Sequence, residues 1–555
     1  MYYVLTMYVD ESKVHQGERI YTRYLLRESY REGKKVCHRT IANLSQCSIE
    51  EIAAIRLALR HKKNLAELSG RATSVSLTQG LSVGAVWLLY DVARQLGISD
   101  ALGRSRHGRL ALWQVIARVI DQGSRLSAVR LAGSHAACDV LGLERFDEDD
   151  LYDNLDWLSQ NQPGIEDRLF HQRAATHNLY LYDVTSSYLE GTENELSAFG
   201  YNRDGKKGKR QIVIGLLCDE SGTPLSVEVF AGNTKDTGTF AEQVKKAAAR
   251  FGGNEVTFVG DRGMIKSEQI KDLGNYGFHY ITAITKPQVE TLLKSGLIQM
   301  DLFDQKLAEV TDGRIRYVLR RNPVRAYEIQ QSREDKLTSL RKKITEQHDY
   351  LNGHPRAKKE TALKKLNAWC ARMRLSSFTA VTADGRQIRL HIDDDVLREE
   401  AKLDGCYVLK SDLPPEAATK EIIHDRYKDL SLVESAFRRS KTVHLELRPI
   451  HVRLATRTRG HVFVVMMAYQ LIQELAIRWR DIEMTVEEGI NELSSLCAQQ
   501  ITLNGSLTNG IPQPRGSVKK LLEAARVRMP EALPSKGIIV STKSSYIDGN
   551  HTDVG

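Results

Sequence analysis

Over residues 1 to about 45, apolar and polar positions alternate, as in "YVDESKVH" and "RIYTRYLLRESY", with turn signals at Gln16-Gly17 and Glu32-Gly33. A period of two predicts strands, so the chain should open with a small antiparallel β module. From Ile49 to about His177 apolar residues recur at three- and four-residue steps, in "IEEIAAIRLALRHKKNLAEL", "VGAVWLLYDVARQLGI", "ALWQVIARVIDQGSRLSAVRLAG" and "DEDDLYDNLDWLSQNQPGIEDRLF". That spacing predicts a helical bundle of the size DNA-binding modules use. The most apolar segment, "GHVFVVMMAYQLIQELAIRW" from Gly460, meets Gln470, Gln473 and Glu474 before it is long enough to span a bilayer. A buried helix is expected there.

From Asn178 the order of elements becomes informative. A strand "LYLYDV", a turn "RDGKKGKR", a strand "QIVIGLLCDE", a turn at Ser221-Gly222 and a strand "PLSVEVFAG" are followed by a helix, the strand "EVTFVGD", a helix and the strand "HYITAIT". Three strands joined by turns, then helix, strand, helix, strand, is the order of a ribonuclease H-like core with a mixed sheet. The first strand reads as ending on Asp183, ahead of a polar, turn-like "TSSYLEG", and the fourth as ending on Asp261. In that fold the first and fourth strands are parallel neighbours, so the two aspartates are expected side by side. Adjacent carboxylates repel unless a cation lies between them, and a hard, oxygen-seeking ion such as Mg²⁺ is the usual solution. Two such ions clamp the attacking and leaving oxygens of an in-line phosphoryl transfer. Solvated turn or capping aspartates are the plainer alternative.

A third acid should come from a helix packed on the sheet. In "DRYKDLSLVESAFRRSK" helical steps of three, four and seven place Tyr427, Glu434, Arg438 and Lys441 on nearly one face. Glu434 would complete an acidic site, with Tyr427 as a DNA contact and Arg438 and Lys441 as cations toward a phosphate backbone; a solvated helix with a Glu434 to Arg438 pair explains the same residues. The turn between the first two strands carries Arg203, Lys206, Lys207, Lys209 and Arg210, and its place in the sheet favours a phosphate-gripping role. Asp236 reads as the N-cap of the helix after the third strand. Between Asp261 and Glu434 stand 172 residues, too many for a bare core. There "KLAEVTDGRIRYVLRR" and "SSFTAVTADGRQIRLHI" read as strands around a helical stretch, residues 333 to 374, with twelve Lys or Arg against five acids. An exposed helical hairpin and a DNA contact explain that charge equally. Trp369 within it reads as core, or as a stacking surface for a base.

The net charge of +9 favours a polyanionic partner, nucleic acid first, and no membrane partner is expected. Seven dispersed cysteines without CxxC spacing point to a reducing compartment, not to a disulfide framework or zinc cage, and the lone His135/Cys138 pair reads as packing. The N-terminus lacks the basic start and apolar core of a secretory leader, so a cytoplasmic location is expected. The tail "STKSSYIDGNHTDVG" should lack a fixed structure.

Five segments, "YDVTSSYLEG", "FGYNRDGKKGKRQIVIGLL", "GNTKDTGTF", "FVGDRGMI" and the stretch from "YKDLSLVESAFRRSK" to "RTRGHVFVVMMAYQL", resemble the catalytic core of DDE transposases of the insertion-sequence-four superfamily. The insertion sequence 1634 group is the nearest in pattern, and "ESYREGKKVCHRTIANL" is similar to the same group. The resemblance implies Asp183, Asp261 and Glu434 as the catalytic, metal-binding triad, with Mg²⁺ as the ion and Mn²⁺ as its substitute. It implies binding of terminal inverted repeats and target DNA, phosphodiester hydrolysis, strand transfer, a homodimer in the DNA complex, and a bacterial or archaeal cell in which the protein works at the nucleoid. The superfamily's helix signature is Tyr, two residues, Arg, three residues, Glu, six residues, Lys. Tyr427, Glu434 and Lys441 fit it, and Leu430 stands where Arg is expected. A catalytically idle DNA-binding derivative and a ribonuclease H-type nuclease are the competing functions. The expected organisation is a β module at 1–48, a helical DNA-binding region at 49–177 and a ribonuclease H-like core at 178–290. An α+β insertion at 291–404, the rest of the core with the Glu helix at 405–480, and a helical region with tail at 481–555 complete it.

Overall fold

The computed structural model describes residues 3–16, 19–32, 35–62, 75–172, 178–201, 203–206, 208–251, 256–441, 445, 447–503, 506–533, 538 and 540. Lys207, Gly17, Gly33 and the tail from residue 541 lie outside them. The chain divides into two compact units: residues 1–177, 182–252 and 431–555 form the first, and residues 178–181 and 253–430 the second.

The first unit opens on three long strands, β1 (Tyr3–Gln16), β2 (Arg19–Glu32) and β3 (Lys35–Asn43), paired antiparallel in that order. The helix Ile49–Arg60 follows. Its first turn is closed by a capping box in which Ser48 accepts from the Glu51 amide and Glu51 accepts from the Ser48 amide. Helices Gly84–Gln95, Arg106–Ile120 and Glu148–Gln172 continue the helical region, but β4 (Val75–Ser82), a strand, stands within the stretch expected to be helical.

β5 (Leu179–Tyr188) departs from the sequence reading. The strand does not end at Asp183 but runs five residues further, because Val184, Thr185, Ser186 and Ser187 are all buried as strand residues. Small hydroxyl side chains look turn-like in a sequence, yet they suit a crowded sheet when their backbone groups are paired. β6 (Gln211–Cys218) is buried at every position, and β7 (Pro224–Ala231) pairs with it antiparallel. In the second unit β8 (Thr257–Gly260) and β9 (His279–Ala283) are parallel. There Leu179, Tyr180 and Leu181 of β5 pair in parallel with Thr257, Phe258 and Val259 of β8, as the element order predicts.

The second unit continues with β10 (Ala308–Asp312), β11 (Ile315–Arg321), the helices Pro323–Gly353 and Lys359–Met373, and the hairpin of β12 (Thr379–Asp384) and β13 (Gln387–Ile392). β14 (Cys406–Ser411) pairs antiparallel with β9 on one side and β11 on the other. One eight-stranded mixed sheet results, in the order β10-β11-β14-β9-β8-β5-β6-β7. Its stretch β9-β8-β5-β6-β7 is the ribonuclease H-like order, and β14, β11 and β10 extend its edge. Trp369 packs partly buried against the helical core of Leu340, Leu366 and Phe378.

The rest of the first unit is the apolar helix Ala455–Arg478, mostly buried against Glu148–Gln172, Arg106–Ile120 and β7. Two further strands follow where the sequence suggests helix. β15 (Cys497–Leu503) pairs antiparallel with β16 (Ser506–Gly510) and with β4, closing a three-stranded sheet from segments at opposite ends of the chain.

Candidate active site

The acids stand on separate elements. Asp183 is the half-buried position between buried stretches of β5, and its Oδ1 accepts from the Val184 amide at 2.8 Å. Asp261 follows the last residue of β8 directly and is exposed. Its Oδ1 accepts from the Arg262 amide at 2.8 Å and from the Tyr427 hydroxyl at 3.4 Å. Each aspartate lies two residues beyond the last pair of the parallel β5/β8 ladder, Leu181 with Val259. Glu434 is exposed on the helix Leu430–Lys441. Among the described residues neither Asp261 nor Glu434 forms an ion pair, so two hard oxygen donors carry charge that no protein cation neutralises. The described residues gather no group of three or more His, Cys, Asp or Glu side chains close enough to hold a metal. What fits a divalent cation is the chemistry of the donors, carboxylates alone.

Tyr427 is not on the helix of Glu434. A turn at Asp429 separates Lys420–Lys428 from Leu430–Lys441, so the spacing that aligns side chains on one face applies only from Glu434 to Lys441. Arg438 is exposed on that second helix. Lys441 is buried, and its ammonium donates to Asp204 at 2.8 Å. Burial pushes the Lys441 ammonium below its ordinary value, opposed by the Asp204 carboxylate.

The basic turn is similarly engaged. Arg203 forks onto both oxygens of Asp236 at 2.6 and 2.7 Å. Asp236 is therefore not the N-cap: Lys235 holds that position, and Asp236 is the first helical residue. Lys209 pairs with Glu190 at 2.7 Å, an exposed contact. Lys206 lies over the Tyr188 ring at 5.8 Å, and Arg210 over Phe199 at 5.6 Å.

Sequence reasoning passed over Asp204, the lone acid in "RDGKKGKR". Its carboxylate, 2 % exposed, receives Lys441, Arg448 at 2.7 Å and the Tyr188 amide at 3.1 Å. One acid among five cations was the available signal: a turn built only to grip phosphate has no use for it. A second unforeseen cluster is buried among helices of the first unit, where Arg125 donates to Gln114 and lies 3.4 Å from the His461 ring nitrogen. Burial lowers the Arg125 guanidinium to about 9, and it pushes His461 well below its ordinary value, with Arg118 and Arg125 adding to the effect.

Two family models match this sequence. The IS1634 family transposase N-terminal domain matches residues 10–72, and the transposase DDE domain matches residues 175–471. Among solved structures the chain is similar to piggyBac transposase in a synaptic complex with hairpin DNA, at 10% identity over 83% of this chain and 85% of that one, with a TM-score of 0.36. It is also similar to Mos1 transposase in a paired-end complex with the left transposon end, at 11% identity over 29% and 54%, with a TM-score of 0.15. No curated protein matches the chain.

Proposed function

We propose, from the premise that this chain belongs to the DDE transposase family, that it binds the terminal inverted repeats of its own insertion sequence, hydrolyses the phosphodiester bond at each end and joins the freed 3′ hydroxyl to target DNA. The observation that carries this reading is the family match itself, which spans residues 175–471 and so includes Asp183, Asp261 and Glu434. The parallel register that sets both aspartates two residues past a common pair supports it.

Members of this family generally use a divalent metal ion. Asp183, Asp261 and Glu434 would hold it, as Mg²⁺ or with Mn²⁺ in its place. When bound, the ion supplies charge neutralisation at the attacking and leaving oxygens. The side chains hold and orient: the Val184 amide fixes one oxygen of Asp183, and the Arg262 amide and Tyr427 hydroxyl fix one of Asp261. Arg438 and, in the basic turn, Lys206 and Arg210 hold the phosphate backbone, which positions DNA without reading its sequence, while Arg203 and Lys209 pair with Asp236 and Glu190. Lys441 acts through Asp204. Two ends must be processed together, so the working unit is a dimer with DNA, acting at the nucleoid in the cytoplasm.

The test is Asp183→Asn on DNA carrying the element's ends. The variant should bind the ends as the wild type does and lose cleavage and strand transfer. Its melting temperature without metal should stay equal or rise, because a negative charge leaves an acidic group. Mg²⁺ should raise the melting temperature of the wild type by mass action, with most of that gain absent from the variant. Cleavage at near wild-type rate would remove Asp183 from the chemistry. Wild-type binding without cleavage, with Mg²⁺ or Mn²⁺ supplied, would favour an idle DNA-binding derivative.

A further inference from the structure

Phe199 and Tyr201 are 64 % and 81 % exposed, two large rings held outward within three residues. Their loop is nevertheless firmly anchored. Ala198 and Gln211 exchange backbone hydrogen bonds at 3.0 and 3.1 Å, the Gly232 amide donates to the Leu196 carbonyl at 3.0 Å, and the Gln211 side chain donates to the carbonyls of Tyr201 and Gly232 at 3.1 and 2.8 Å. Between the two aromatics, Gly200 approaches the Gly232 carbonyl so closely that a Cβ would lie 2.1 Å from its oxygen. The Arg203 amide donates to the Ser186 hydroxyl of β5 at 2.9 Å. Residues 196–201 thus present the rings on a backbone tied to β6 and to Gly232, which reduces the ordering entropy to be lost when something packs on them.

Each ring carries a guanidinium. The Arg203 guanidinium lies 5.5 Å from the Tyr201 ring centre and that of Arg210 lies 5.6 Å from Phe199. Asp236 neutralises Arg203. Arg210 instead donates to the Thr192 carbonyl at 3.3 Å and the Ser197 hydroxyl at 3.5 Å, with no carboxylate partner among the described residues. Beside Phe199 there is thus a retained positive charge next to an open aromatic surface. A flat π-face with an adjacent cation suits a nucleobase with its phosphate, and base–aromatic stacking is tolerant of sequence. The base must be unpaired, because within a duplex both of its faces are covered by neighbouring base pairs.

We infer that Phe199 and Tyr201 form a stacking platform for an unpaired nucleobase, with Arg210 gripping the phosphate of the same strand. This rests on the reading of the chain as a DNA-processing enzyme. The test uses full-length protein with a single-stranded oligo(dT) carrying one central 2-aminopurine, and a blunt duplex of equal length. Wild type should bind the single strand and quench the 2-aminopurine. Phe199→Leu/Tyr201→Leu should bind it roughly tenfold or more weakly and lose the quenching, with duplex affinity within about twofold and an unchanged melting temperature. Phe199→Trp/Tyr201→Trp should restore both signals. Unchanged quenching and affinity in the leucine variant would overturn the platform while leaving the transposase reading intact. Equal loss of duplex and single-strand binding would overturn it too, as a general grip and not stacking. Wild-type protein that binds neither DNA would overturn both.

Discussion

At Asp204 two cations, Lys441 and Arg448, converge on one carboxylate that is almost completely withdrawn from water. Neutralising that carboxylate leaves both cations uncompensated, and breaking a buried pair on one side typically costs about 3 kcal/mol or more. Asp204→Asn should lower unfolding stability by about that amount in urea titrations, and a loss under about 1 kcal/mol would contradict the role given to it. The residue lay in plain view in the sequence, but the density of positive charge around it drew the reading toward phosphate, and only the fold reveals that Lys441 arrives from far along the chain. Asp183, Asp261 and Glu434 stood out as candidates for the opposite reason: element order and a helix signature drew attention to them, although Asp183 lies within β5 and not at its end. His461 gives a prediction in pH. Its folded value lies well below 6.5, so between pH 6.5 and that lower value the unfolded chain takes up a proton that the folded chain refuses. Stability should therefore decline as pH falls below about 6.5, with His461 contributing on the order of 1 kcal/mol per pH unit. His135 and His424 are shifted the same way by burial. His461→Gln should flatten the slope of urea-unfolding stability between pH 6.5 and 5, and an unchanged slope would show that the histidine does not titrate as described.

At the scale of elements, β5 and β6 fit through one exchange of volume: Gly215 leaves room for Tyr182, whose hydroxyl would lie 2.2 Å from any Cβ added there. Tyr182 is fully buried, so the conflict cannot be relieved toward solvent. Gly215→Ala should destabilise by about 1–3 kcal/mol, the usual range for overpacking a core. Adding Tyr182→Phe removes the nearest atom and should recover part of the loss, a coupling that a double-mutant cycle measures. Simple additivity of the two losses would mean that this contact does not set the fit. The core strands were readable because β6 and β8 are short, wholly buried apolar runs, which a sheet covered on both faces requires. The continuation of β5 through "TSSY" was not, since serine and threonine mark turns when exposed and fit closely when buried, and sequence alone does not report burial. The turn at Asp429 was missed because helical spacing persists across it.

Across the whole molecule, the pairing of β15 with β4 had no signature in sequence, because its partners belong to opposite ends of the chain. The adjoining contacts are close. Gly84 lies so near the Leu493 carbonyl that an added Cβ would stand 2.3 Å from its oxygen, and Cys47 meets Gln499. A chain cut after residue 480 should therefore fail to give a cooperative melt for its N-terminal region. A sharp transition in that fragment, by circular dichroism and calorimetry, would show that β4 and its helices stand alone. The same pairing bears on how the protein is made. Gln79 of β4 and Cys497 of β15, in contact across it, are 418 positions apart, which at about 5–20 residues per second is roughly 20–85 s of synthesis. Throughout that interval β4 leaves the ribosome with one edge waiting for a partner not yet translated, and open edges recruit other strands. Interrupted synthesis would thus release not a smaller binding protein but a chain with an unsealed strand, prone to aggregate and be degraded.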